Sequence, residues 1–201
     1  ILTCCLAQNW FFDRVLGTRD FAAMHCRAAD VAPGCGGLLF LPYLTGERTP
    51  YLNPQAKGVF FGLTLGDDEA TLARAVIEGI SHALLDAMLC IRELIPAEAW
   101  PSDSRLIVSG GGARSGLWPD IFASVFGLTA RVHHAPGEGT SLGAAITAGV
   151  GIKLFDDYEQ ASQIVRARSV HLVNPAWEAR YKQVFGIYKG IYDRLKPIFD
   201  G

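Results

Sequence analysis

The part of this sequence best suited to chemistry is a run of bare backbone. Ser109-Gly110-Gly111-Gly112-Ala113-Arg114-Ser115 follows a compact apolar run and leads into another apolar stretch that ends near Phe126. Consecutive glycines let main-chain N–H groups approach a ligand with no Cβ in the way. A helix starting just beyond presents the positive end of its dipole, which suits phosphate or the polar edge of a nucleotide. A tight turn without a ligand has the same composition. Two familiar phosphate loops are excluded. Gly111 and Gly116 have the Walker A spacing, but Leu117-Trp118 stand where Lys-Ser/Thr is required. A dinucleotide fingerprint starting at Gly110 and Gly112 needs a third glycine where the sequence has Ser115.

Other groups are less pointed. Gly139-Thr140-Ser141-Leu142-Gly143-Ala144-Ala145 reads as a small-residue helix start, suited to close approach of a helix or backbone and equally to plain tight packing. Glu78, His82 and Asp86 recur four apart on one helical face. They read as a solvated or satisfied polar stripe, with a cleft lining as the functional alternative. Glu47-Arg48 reads as an anchoring ion pair, with a cleft-facing pair as the alternative. His133 and His134 are adjacent, so on a strand they point to opposite faces and cannot chelate one ion. No metal site is expected.

The elements that would position these groups follow from periodicity. Residues 6–17 suggest a helix, and a shorter polar one follows over 18–29. Pro33 to Gly37 breaks the chain. Residues 38–44 read as a buried strand bounded by glycines and Pro42, 45–57 as a loop, and 58–63 as a second β-prone run. The longest periodic stretch, 71–95, carries Leu72, Val76, Ile80, Leu84, Ile91 and Leu94 on one helical stripe ending before Pro96. Strands are predicted over 105–109 and 130–133, and helices over 116–126, 140–150, 157–165 and 176–198. Thr140 or Ser141 caps the third-last of these. The last helix packs through Trp177, Tyr181, Phe185, Tyr188 and Tyr192. Strands alternating with helices predict an α/β layered domain.

Composition narrows the class. The 201 residues are 50% hydrophobic, enough for one sizeable core, and carry 18 basic against 20 acidic side chains. With no basic run, nucleic acid is not expected as a partner, and no apolar stretch is long enough for a membrane span. Five cysteines without a C-x-x-C pair suggest reduced thiols and a cytoplasmic location. The apolar start lacks a basic region and a cleavage pattern, so no signal peptide is read. The chain opens at Ile1, in what reads as the middle of an element, so a fragment is expected.

Taken together, residues 38–50 (Leu-Leu-Phe-Leu-Pro-Tyr-Leu-Thr-Gly-Glu-Arg-Thr-Pro), 58–64 (Gly-Val-Phe-Phe-Gly-Leu-Thr), 72–79 (Leu-Ala-Arg-Ala-Val-Ile-Glu-Gly), 109–115 and 142–145 closely resemble the C-terminal domain of FGGY carbohydrate kinases. The first stretch is most like the xylulokinases of that family. The resemblance implies a ribonuclease-H-like domain of the actin/hexokinase type, a mixed sheet flanked by helices. Residues 1–201 would form this one nucleotide-binding domain, facing an N-terminal domain that binds the sugar and bears the catalytic base. It implies ATP and Mg²⁺ as cofactors, with nucleotide contacts at Gly111, Gly112, Ala113, Ser115 and Gly116, and at Gly66 in the turn after Thr64. The helix at Leu142–Ala145 would sit at the interdomain hinge. The resemblance also allows a homodimer, and kinases for ribulose, gluconate or glycerol share the pattern. So does a nucleotide-binding or interaction domain that has lost catalysis.

The sequence departs from the family at Pro119-Asp120, where members place a basic residue and Gln, and at Thr71, where they place an acidic, amide or His residue. By the resemblance, both positions would touch the adenosine site or its border. The family's first phosphate loop and catalytic Asp have no counterpart here. No residue is assigned as catalytic, and the chain alone is not expected to turn over.

Overall fold

The computed structural model describes residues 3–96, 98, 104–135 and 137–201. Helix α1 (Cys4–Trp10) runs into a π-helical turn (Phe11–Val15), and α2 (Phe21–Ala29) follows. Strands β1 (Leu39–Leu41) and β2 (Val59–Phe61) pair antiparallel, Phe40 opposite Phe60. The 25-residue α3 (Glu69–Glu93) comes next, then β3 (Leu106–Val108), α4 (Leu117–Phe126) and β4 (Ala130–His133). Helices α5 (Gly139–Gly151) and α6 (Tyr158–Ser162), strand β5 (Ala167–His171) and the long α7 (Pro175–Asp200) complete the order.

The second sheet is mixed. β4 is central, parallel to β3 and antiparallel to β5. Joining two parallel strands requires a crossover, and α4 supplies it. Leu106, Val108, Ala130 and Val132 pack beneath α4 around Ala123. The larger core lies between α3 and helices α1, α2 and α4, with Val76, Ile77, Ile80, Phe11, Phe12, Trp118 and Ile121 buried together. α3 also crosses β1 so closely that Gly79 lies against the Phe40 backbone.

Side-chain caps place several helix starts. Asp20, Asp68, Asp157 and Asn174 each accept a main-chain N–H from the first turn of α2, α3, α6 and α7. Pro175 opens α7, where its missing N–H costs nothing. The predicted cap of α5 is different. The helix begins at Gly139, which puts Thr140 and Ser141 inside it, and Glu138 precedes it without a side-chain bond. The predicted strand over 38–44 shortens to three residues, because the backbone leaves the sheet at Pro42. β5 was not predicted.

The polar stripe on α3 is neither solvated nor part of a cleft. Glu78, His82 and Asp86 are 3%, 0% and 1% exposed and face α7. Glu78 Oε1 accepts from Arg74 Nε (2.7 Å) and the Tyr181 hydroxyl (2.8 Å), while its Oε2 takes the Gly34 N–H (3.0 Å). His82 sits among the rings of Tyr181, Phe185 and Tyr188. Asp86 accepts from the Tyr51 hydroxyl at 2.6 Å and meets Lys189 Nζ at 3.2 Å. Glu47 is buried too, and its Oε1 accepts the main-chain N–H groups of Arg48 and Thr49.

Candidate functional site: a glycine turn opening into a cavity

β3 runs directly into the glycine turn. Gly110 has φ +84°, a left-handed value that a side chain would resist, and it reverses the chain after the strand. Gly112–Arg114 form a short 3₁₀ turn, and Ser115 returns to an extended conformation. The Ser115 Oγ accepts the Leu117 N–H at 3.2 Å, so the side chain before Gly116 secures the start of α4. A Cβ added at Gly111 or Gly116 would meet nothing within 4 Å, whereas one at Gly112 would meet the Trp118 ring at 3.3 Å. Two of these glycines therefore keep space open, and the third lets the turn lie on the tryptophan.

That open space is a cavity of ≈ 710 Å³. Gly111, Gly112, Arg114, Ser115, Gly116 and Leu117 form one wall. Helices α1 and α2 form the other, through Cys5, Gln8 and Asn9 and through Phe21, His25 and Cys26 among others. Ala113 is turned away and lines a neighbouring apolar cavity of ≈ 300 Å³ with Trp118 and Phe122. Gly66 lies outside both linings. It sits in a separate exposed turn, where Thr64 donates N–H and Oγ–H to Asp67 Oδ2 (2.7 and 3.0 Å) and the Gly66 N–H reaches Thr64 Oγ1 at 3.3 Å.

One side chain joins the three helices around the cavity. Trp118 Nε1–H donates to Gln8 Oε1 at 2.7 Å, and His25 Nε2 lies 3.0 Å from the same oxygen. Indole nitrogen only donates, so the oxygen of the Gln8 amide must face it, and that oxygen in turn calls for a hydrogen on His25 Nε2. Burial lowers the His25 pKa, which favours the neutral ring. Cys5 is tied to the turn as well. Its thiol is held down to about 6, chiefly by a hydrogen bond from Cys4 and further by the Gly112 N–H. Cys4 is correspondingly raised by the same contact and by burial. None of the α1 and α2 wall residues was singled out from the sequence. Their only local signal is helical periodicity, which does not say which polar residue faces inward.

The unusual Pro119-Asp120 pair also has a structural role. Pro119 is buried in the first turn of α4. Asp120 Oδ1 meets His171 Nδ1 at 2.6 Å, joining α4 to β5. Gly139-Thr140-Ser141-Leu142-Gly143 has the spacing of a nucleophile elbow, but Ser141 lies within the first turn of α5 and not at the strand-to-helix corner an elbow needs. Among the described residues, no carboxylate lines the large cavity.

A mixed sheet flanked by helices, with a glycine turn opening from the end of a parallel strand, defines an α/β domain of the ribonuclease-H-like, actin/hexokinase type. More particularly, residues 14–152 match the model of the FGGY family of carbohydrate kinases, C-terminal domain, and the chain belongs to that family. The xylulose kinase of Staphylococcus epidermidis is 33% identical over 192 residues, which is 94% of this chain and 37% of that protein. The ligand-bound xylulose kinase of Lactobacillus acidophilus superposes with a TM-score of 0.83 at 29% identity, covering 96% of this chain and 38% of the other. Gluconate kinase from the same organism superposes at 0.80 with 30% identity, covering 94% and 38%. The chain thus spans little more than a third of the length of the curated relatives it matches. Among the described residues, no helix is long and apolar enough to cross a membrane.

Proposed function

We propose that this chain is the nucleotide-holding part of an ATP-dependent sugar kinase, with D-xylulose the first acceptor to test. The observation that carries the reading is the cavity over Gly111 and Gly116, where absent Cβ atoms leave room against the start of α4. Main-chain N–H groups at such a turn suit the polar edge of a nucleotide. Gly111, Gly112, Ser115 and Gly116 would contact it, with Ala113 and Gly66 at the border. Gln8 and His25 would hold the opposite wall. ATP supplies the phosphoryl group when bound, and this chain's residues orient it and exclude water. Mg²⁺ belongs to the same reading, but no carboxylate of this wall is placed to ligate it, so no step is derived through it. Phosphoryl transfer also needs a carboxylate to accept the sugar hydroxyl proton, and no residue here is given that role. A homodimer is part of the reading, checked by light scattering. The five free cysteines fit a cytoplasmic protein.

The nucleotide part is tested on the chain itself. Cys5 and Cys26 both line the cavity, and the thiolate is the reactive form of a thiol. Saturating ATP is expected to slow their alkylation by iodoacetamide while leaving Cys90 unchanged. Equal rates at all three with and without ATP would remove the nucleotide from this cavity. The sugar part needs the remaining two thirds found in relatives. ADP release by the full-length protein is expected to rise with D-xylulose. The gluconate kinase likeness motivates a second arm, and stimulation by gluconate alone would move the assignment there.

A further inference from the structure

The face of the mixed sheet turned away from α4 carries groups the nucleotide reading does not use. Leu106, Val108, Ala130 and Val132 pack on the α4 side, so the two-residue period sends Arg105, Ile107 and Arg131 to the other. A register shift at Val132/His133 brings His133 beside them. There they line a cavity of ≈ 360 Å³, closed from the opposite side by Ser162, Val165 and Arg166 on α6 and the approach to β5. It shares no lining residue with the glycine-turn cavity and begins at Arg105, ahead of β3, where the glycine turn follows that strand.

Arg105, Arg131 and Arg166 all line it, and among the described residues no carboxylate does. Among the described residues none of the three is paired with a carboxylate. Two buried nitrogens lack partners: Arg131 Nε and His133 Nε2, the latter on a side chain only 4% exposed. His133 Nδ1 is engaged locally, 3.1 Å from the Ala135 N–H and 2.9 Å from its carbonyl. If Nδ1 accepts that N–H, the ring hydrogen sits on Nε2. That tautomer places a donor at Nε2, and an anion in the pocket selects it over the one that gives Nδ1–H to the carbonyl and leaves Nε2 an acceptor. Like charges gathered around unpartnered donors are stabilised by an oxyanion, and guanidinium forks match phosphate oxygens in geometry. The volume lies in the range of small-molecule sites, about 300–1,000 Å³, and Ile107 and Val165 offer apolar surface to an organic group.

We propose that this pocket binds a phosphate dianion, free or as the monoester of a small molecule, at a site separate from the nucleotide cavity. Isothermal titration of the 201-residue chain with inorganic phosphate and with glycerol 2-phosphate, at constant ionic strength, reads it out. Saturable binding at millimolar concentration is expected. The double variant Arg131→Gln/Arg166→Gln should weaken it by at least roughly tenfold, since each charge-assisted hydrogen bond lost is worth that much or more. Arg166 is exposed and Arg131 is half-buried, and neither holds a carboxylate among the described residues, so its thermal transition should stay close to the parent's. His133→Gln, which keeps the fold's small polar contact but alters the Nε2 donor, should weaken binding less. Tighter binding of the monoester assigns the pocket to a phosphorylated metabolite, and equal binding assigns it to phosphate itself. Absence of binding by both probes, or binding unchanged in the double variant, overturns the proposal.

Discussion

Gly79 lies within α3 and Gly111 in the turn ahead of α4, and the space around them differs as far as it can. A Cβ at Gly79 would stand 2.1 Å from the Phe40 carbonyl oxygen, inside the contact between α3 and β1. A Cβ at Gly111 would meet nothing within 4 Å. The first glycine brings two backbones together, and the second holds a surface bare. The regions around them differ in the same way. Around α3, even charged groups are buried and matched, as Arg74, Glu78 and Tyr181 are. At the turn after β3, the chain is held by the Ser115 hydrogen bond and the Trp118 ring yet left open on one side. The cavity arises because the unfilled space is confined to one wall of an otherwise closed core.

The largest way to break the closed region is to remove its charge pair. Arg74 is fully buried, donates to Glu78 and Tyr181, and lies 4.7 Å from the Trp177 ring centre. Arg74→Ala leaves the Glu78 carboxylate buried without its cation, and about 3–5 kcal/mol of stability should go with it. Urea unfolding measures the loss. Arg74→Met/Glu78→Leu should lose less than the single variant, because it removes the stranded charge along with its partner. Gly79→Ala comes next. On helix propensity alone it should gain up to about 1 kcal/mol, but the backbone contact at Phe40 must shift, and a net loss of about 1–3 kcal/mol is expected. A gain would mean that the α3–β1 contact has room the structure does not show.

His82 sharpens the same region through pH. Burial holds its pKa down to about 3 from an ordinary 6.5, and both ring nitrogens lack partners. The unfolded chain takes up a proton below about 6.5 that the folded chain refuses. Stability from this residue is therefore whole above that value and falls as the pH drops toward 3, at up to about 1.4 kcal/mol per unit. His82→Phe, set among Tyr181, Phe185 and Tyr188, should flatten the decline in urea midpoint between pH 7 and pH 5. A parallel decline in both proteins would place the acid sensitivity elsewhere.

The two regions were not equally legible in the sequence. The stripe of Leu72, Val76, Ile80 and Leu84 announces α3, because a buried helix face repeats at 3.6 residues whatever it packs against. The other face was legible only in part. Glu78, His82 and Asp86 look like a solvated or satisfied polar stripe, and what covers them comes from elsewhere: Tyr51, and the Tyr and Lys groups of α7 about a hundred residues on. The glycine turn was legible because its signal is local: a strand, three glycines and a helix start. Its opposite wall was not, since Gln8 and His25 face the cavity only after Trp118 has taken the Gln8 oxygen. β5 was missed for a related reason. Ala-Arg-Ser-Val-His alternates weakly, and its pairing comes from β4, not from its own composition.

The smallest expected change in stability is the one that tells most about the open region. Gly111 has φ −62° and ψ −42°, values any residue adopts, and an added methyl has free space. Gly111→Ala should leave the urea midpoint unchanged or raise stability by up to about 1 kcal/mol, through the loss of freedom in the unfolded chain. The methyl would nevertheless stand on the cavity wall, where a ligand would press against the backbone. If the cavity takes ATP, the variant should lose much of the protection that ATP gives Cys26 while folding at least as well as the parent. Gly79→Ala should do the reverse, folding less stably yet keeping its protection wherever it remains folded. Were Gly111→Ala destabilised as much as Gly79→Ala, the turn would be packed and not open. Were it stable with protection intact, the space over Gly111 would not be where the nucleotide lies.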